Sequence, residues 1–190
     1  MMQIGLYFGS FNPVHHGHLI IASYMAHNTS LDQVWFIVSP QNPFKTAHTL
    51  LNEYQRLHLV RLAIEGEPAL RASDIEFYLP RPSYTIDTLA YLEEKYPDYR
   101  FSIILGSDSF QNLHKWKNAT LLMERYPFFV YRRPGFEISL SQPAHITIAE
   151  APMLQISASE IRKMVHEKKS IRYLVPDVVK EEIEKNGYYR

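Results

Sequence analysis

Two short stretches at opposite ends of the chain carry residues whose types and spacing suit anion chemistry. The first reads Gly9-Ser10-Phe11-Asn12-Pro13-Val14-His15-His16-Gly17-His18 and follows an apolar run. Gly9 lets the backbone turn off a strand and lets a ligand approach closely. Asn12-Pro13 is turn chemistry that restrains the loop. His15 and His18 stand three apart, so on a helix starting about 17–19 they share a face near its N-terminus. Free N–H groups and the helix dipole favour an anion there, and two imidazoles can donate to phosphate oxygens as charge develops. A His pair that only caps the helix or fills a turn is the plain alternative, and a metal site is weaker still, because no Cys, Asp or Glu stands close enough to complete a shell.

The second stretch is Ile156-Ser157-Ala158-Ser159-Glu160-Ile161-Arg162. Ser157 with Glu160 three later fits a capping box, which accounts for those two residues structurally. Ser159 and Arg162 are left over. As i, i+3 neighbours on a first helical turn they place a hydroxyl and a guanidinium beside free N–H groups, a set suited to nucleotide phosphates. A merely solvated Arg162 is the plain alternative.

Between these ends lie weaker candidates. Gly106-Ser107-Asp108 follows the apolar run 101–105, and Asp108 there suits a ribose or a metal-bound phosphate, or simply caps a short helix. Trp116 between Lys115 and Lys117 suits stacking on a flat heteroaromatic ring, with core packing as the alternative. Tyr84 and Thr85 precede a helical pattern whose N–H groups could hold a carboxylate, though Thr85 could equally be only an N-cap. Lys45 and Arg133 follow Pro-bearing loop sequence and could meet phosphate or water.

The elements that must position these groups are legible as alternating patterns. Ile4–Phe8, Val34–Val38, Phe101–Leu105 and Phe128–Tyr131 are short and rich in β-branched and aromatic residues, as buried parallel strands are. Leu57/Val60/Ile64, Ile86/Leu89/Leu92 and Ile161/Met164/Val165 recur at helical spacing. The alternation predicts an α/β fold whose helices cover a mostly parallel sheet. Ligands of such sheets bind at the carboxyl ends of the strands, so the loops after Phe8, Val38 and Leu105 are where chemistry belongs.

Bulk properties narrow the classes. The 190 residues suffice for one domain spanning 1–190, with its C-terminal helical part from about 157. Lys+Arg and Asp+Glu are 20 each, so no net positive charge favours a nucleic acid as main partner. Zero cysteines exclude disulfides and thiolate metal ligands. No basic residue precedes Lys45 and no apolar run is long enough to span a bilayer, so the expectation is a soluble cytoplasmic protein without a signal peptide or membrane partner. Homo-oligomerisation stays open.

Together the segments resemble the HxGH-type nucleotidyltransferases, most closely the bacterial nicotinate (or nicotinamide) mononucleotide adenylyltransferases. Gly9–His18 is similar to their G-[GT]-[ST]-F-[DN]-P-x-H-x-G-H signature, and Ile156–Arg162 to I-S-x-[ST]-x-[IV]-R. Gly106-Ser107-Asp108 with Trp116 resembles a G-A-D segment followed by Trp, and 83–89 resembles S-Y-T-x-D-T-L. Phe8 stands where Gly is frequent and Ser107 where Ala is frequent. The related pantetheine-phosphate adenylyltransferases usually carry Thr at the position of His15, which favours the pyridine substrate.

The resemblance implies a Rossmann-like, doubly wound sheet with helices on both faces. It implies adenylyl transfer from ATP to nicotinate mononucleotide in NAD biosynthesis, releasing pyrophosphate. His15, His18 and Arg162 would be catalytic, with Gly9, Ser10, Phe11, Gly106, Asp108, Ile156, Ser157 and Ser159 completing the ATP site. Tyr84, Thr85 and Trp116 would hold the pyridine, and Lys45 and Arg133 would lie near the mononucleotide phosphate. Mg²⁺ would ride on the phosphates rather than in a protein cage. Nicotinamide mononucleotide or phosphopantetheine as acceptor, or a nucleotide sensor without catalysis, are the alternative functions.

Overall fold

The computed structural model describes residues 1–40, 50–138, 145–152 and 154–190. Lys45 therefore lies outside the described residues. Six strands form one parallel sheet in the order β3-β2-β1-β4-β5-β6. They are β1 (Met2–Gly9), β2 (Gln33–Val38), β3 (Leu70–Ser73), β4 (Tyr99–Gly106), β5 (Phe128–Tyr131) and β6 (Ile146–Ala149). This is the doubly wound order, with its direction reversal between β1 and β4. The helices are α1 (His16–Asn28), α2 (Glu53–Ala63), α3 (Thr85–Lys95), α4 (Ser107–Gln111), α5 (Ala119–Arg125), α6 (Ala158–His166) and α7 (Asp177–Asn186).

Period-2 alternation splits each central strand between two apolar layers. In β2, Val34, Phe36 and Val38 face one layer, while Trp35 and Ile37 face the other. The first layer takes Met25 of α1, Val60 of α2, Ile161 of α6 and Ile183 of α7. The second takes Leu89 of α3, Phe110 of α4 and Leu122 of α5. Helices thus cover both faces, as expected.

Four local expectations change. Helix α1 begins at His16, one residue before the expected 17–19, with His15 as N-cap. Ser157 is the N-cap of α6 but its side chain makes no capping hydrogen bond, so the capping box does not form there. Gly106, not Asp108, caps α4, and Tyr84, not Thr85, caps α3. The helix starts two residues too early for Asp108 to cap it and one too early for Thr85. The edge strands β3 and β6 escaped the pattern reading because each is four residues long and only partly buried.

Candidate active site

At the carboxyl ends of β1 and β4, two cavities open side by side. The larger, about 180 Å³, is lined by Gly9, Tyr84, Thr85, Gly106, Lys115, Trp116 and Lys117, among others. The smaller, about 20 Å³, is lined by His15, Gly17, His18, Arg133 and Ile156, among others. Residues from three distant parts of the sequence therefore meet at the switch point of the sheet.

The histidines are held by the loop they belong to. His15 and His18 stack with ring centroids 3.6 Å apart. The His15 backbone N–H donates to His18 Nδ1 at 3.3 Å, which leaves Nε2 as the nitrogen that carries the proton in a neutral His18. Phe11 takes a left-handed φ of 45° and is buried, with its ring edge-on to His18 at 5.1 Å. It supports the imidazole from below. His15 is 5% exposed, and its Nδ1 has no hydrogen-bond partner among the described residues. Burial first, then the charges of Arg133 and His16, push its pKa down to about 4, so it is neutral at pH 7. A buried ring nitrogen without a partner, at the wall of a cavity, is suited to a polar ligand. A side chain at Gly17 would press on the His15 ring at 3.1 Å, so glycine there keeps the imidazole in place.

The far end of the chain joins the first loop directly. Arg162 Nη1 donates to the Asn12 carbonyl at 2.7 Å, and Nη2 donates to Ser159 Oγ at 3.2 Å. Asn12 Oδ1 also accepts from the Tyr189 hydroxyl at 2.9 Å and from the Leu51 N–H at 3.2 Å. Ile156 borders the cavity of the histidines, while Ser157 and Ser159 are exposed at the start of α6. The two ends separated by some 140 residues of sequence therefore abut.

Asp108 sits on the first turn of α4, with Oδ1 3.6 Å from Arg133 Nε. Arg133, expected beside the mononucleotide phosphate, borders the cavity of the histidines and not that of Trp116. Ser107, where the family often has Ala, is buried, and its Oγ accepts from the Arg133 N–H at 2.9 Å. That departure fastens β5's following loop to α4.

Trp116 is half-buried and lines the larger cavity with Tyr84 and Thr85 at the N-terminus of α3. Lys115 and Lys117, which flank Trp116 in the sequence, line the same cavity, and Lys117 Nζ lies 4.9 Å over the Tyr84 ring. Lys117 also pairs with Asp87 at 2.8 Å, tying the tryptophan segment to α3.

Four further residues were missed. Arg56 is fully buried and donates to the carbonyls of Ser10, Ser39, Leu51 and Pro40 at 2.6–3.1 Å. It holds the Ser10 backbone against the end of β2, and burial lowers its pKa to about 10. Glu76, 2% exposed, accepts from Ser83 Oγ at 2.8 Å and Thr88 Oγ1 at 2.9 Å, fixing the approach to α3. Tyr7 and Tyr131 stand between the cavities. An Arg on a helical face and a Glu in a short 3-10 turn read as solvated charges from sequence alone.

Comparisons with known proteins bear on the family and the fold. A family model described as cytidylyltransferase-like matches residues 6–164. A protein of Flavobacterium psychrophilum named "Probable nicotinate-nucleotide adenylyltransferase" is 48% identical over 192 residues, covering 100% of both chains. One of the same name from Cytophaga hutchinsonii is 50% identical, covering 99% of this chain and 98% of the other. Among solved structures, the Plasmodium falciparum nicotinic acid mononucleotide adenylyltransferase complexed with NaAD matches with a TM-score of 0.85 at 22% identity. That match covers 100% of this chain and 98% of that one, and it supports the fold.

Proposed function

The chain belongs to the cytidylyltransferase-like family and, within it, to the nicotinate-nucleotide adenylyltransferases, and we propose that its paired cavities join the adenylyl group of ATP to the phosphate of nicotinate mononucleotide. The products are nicotinate adenine dinucleotide and pyrophosphate, in NAD biosynthesis. The observation that carries this reading is the meeting of His15, His18 and Arg133 at one cavity, beside the loop that Arg162 braces.

In this reading the triphosphate lies against the histidines and the start of α6, with Ser157, Ser159 and Arg162 at its β- and γ-phosphates. His18 donates from Nε2 and His15 from its buried ring to oxygens that gain charge as the transfer proceeds. The pyridine ring stacks on Trp116, and its carboxylate meets the free N–H groups of α3 near Thr85 together with Lys117. Lys117 and Lys115 favour the acid over the amide, because a cation attracts a carboxylate more strongly than a neutral amide. No covalent intermediate is needed; positioning and charge neutralisation suffice for phosphoryl-type transfer.

Among the described residues no group of three or more His, Cys, Asp or Glu could by itself hold a metal ion. Mg²⁺ would arrive bound to ATP, Asp108 is the carboxylate that would face it, and the ion would supply further charge neutralisation. No helix among the described residues is long and apolar enough to cross a membrane, and we place the reaction in the cytoplasm, where ATP is supplied. The 190 residues act as one transferase unit.

Pyrophosphate release with ATP and a panel of acceptors tests the reading. Nicotinate mononucleotide is expected to turn over fastest, ahead of nicotinamide mononucleotide and phosphopantetheine. His18→Ala is expected to lose about 10²–10³ in kcat while unfolding at the wild-type temperature. Faster turnover of another acceptor, or a His18→Ala enzyme within a fewfold of wild type, contradicts it.

A further inference from the structure

Tyr7 and Tyr131 project from β1 and β5 toward each other across β4. In register Tyr7 pairs with Ile104 and Tyr131 with Gly106. Their hydroxyls stand 3.2 Å apart and the rings meet edge to face at 6.1 Å. Gly106 makes room for this: a side chain there would press on Tyr131 Cζ at 3.1 Å. Both tyrosines are buried, at 4% and 6% exposure. Among the described residues they alone line both cavities.

A pyridine ring in one cavity and a triphosphate against the other can react only at the wall they share. We propose that the Tyr7–Tyr131 hydroxyl pair seats the acceptor's phosphate, each phenol donating to one non-bridging oxygen and leaving a third aimed at the α-phosphorus of ATP. This seat rests on the adenylyl-transfer reading. The acceptor oxygen forms the new P–O bond, the α–β bridging P–O bond breaks, and pyrophosphate leaves with the electron pair. Both phenols keep their protons throughout.

Three features favour the role. A separation of 3.2 Å is long for O–H···O, so the pair gives way readily to a charged acceptor. Burial, and next the neighbouring Tyr131, hold the Tyr7 phenol protonated well above its ordinary range, so it stays a donor. Arg133 lies over the Tyr131 ring at 5.8 Å and Tyr7 packs edge-on to His18 at 6.1 Å. The seat is thus continuous with the groups assigned to the triphosphate.

The test uses purified Tyr131→Phe and Tyr7→Phe enzymes beside wild type, with steady-state kinetics for ATP and nicotinate mononucleotide. Each change removes one hydroxyl and keeps the ring. kcat/KM for the mononucleotide is expected to fall about 10–100-fold, the loss of one hydrogen bond to a charged group. KM for ATP is expected to stay within about twofold, and the pH profile of Tyr7→Phe to keep its shape, since the buried Tyr7 phenol stays protonated and adds no limb. Equilibrium binding of the riboside, which lacks the phosphate, is expected to be unchanged in both variants; weakened riboside binding marks a packing role and overturns the seat. A wild type without turnover sinks adenylyl transfer itself. A wild type that turns over beside unimpaired phenylalanine variants overturns only the tyrosine seat.

Discussion

His15 shows how one side chain couples folding to ligand chemistry. Its ring is enclosed by the loop, by Arg133 and by the stacked His18, and its pKa is lowered from 6.5 to about 4. Between those values the unfolded chain takes up a proton that the folded chain refuses. The stability contributed by neutral His15 is therefore complete above about pH 6.5 and is lost as pH falls toward 4. The difference amounts to roughly 3 kcal/mol. Denaturant unfolding at pH 7 and pH 4.5 should show wild type losing on the order of 2–3 kcal/mol more than His15→Gln. Equal losses in both would mean the ring is not held neutral. A triphosphate beside His15 opposes the effect of Arg133, so a bound nucleotide should flatten the dependence.

At the scale of elements, the first loop is a frame held from three sides. Arg56 of α2 grips the Ser10 carbonyl, Arg162 of α6 grips the Asn12 carbonyl, and Tyr189 beyond α7 grips the Asn12 side chain. Arg56→Leu would strand four carbonyls in a buried place and is expected to cost about 3–5 kcal/mol, read as a large drop in thermal midpoint. A midpoint within about 2 °C of wild type would contradict the clamp. The sequence disclosed the ends of this arrangement and not its middle. His15, His18, Ser159 and Arg162 stood out because their spacing matched a helix start and a known signature. Arg56 did not, because its four acceptors are backbone carbonyls contributed by residues 10, 39, 40 and 51, and nothing in a linear pattern marks them. The cap at Ser157 was misread for a related reason: a favourable residue type does not fix where its hydroxyl points.

The whole molecule explains why the site lies where it does. The strand order reverses between β1 and β4, and the loops after both strands diverge to opposite sides of the sheet. One side receives α1 and α6 with the histidines and Arg162; the other receives α3 and Trp116. The four inner strands were legible as short continuous apolar runs, and most helices as apolar residues recurring at helical spacing. The Tyr7–Tyr131 wall was not, since each residue reads only as one more apolar strand position.

The central claim, that both ends of the chain serve one triphosphate while Trp116 holds the pyridine, is tested most directly by a crystal structure with a non-hydrolysable ATP analogue and nicotinate mononucleotide. The triphosphate should lie within hydrogen-bond reach of His15, His18 and Arg162, with the ring on Trp116 and the acceptor phosphate between Tyr7 and Tyr131. A nucleotide bound away from the histidines, or a pyridine ring outside the Trp116 cavity, would contradict the account.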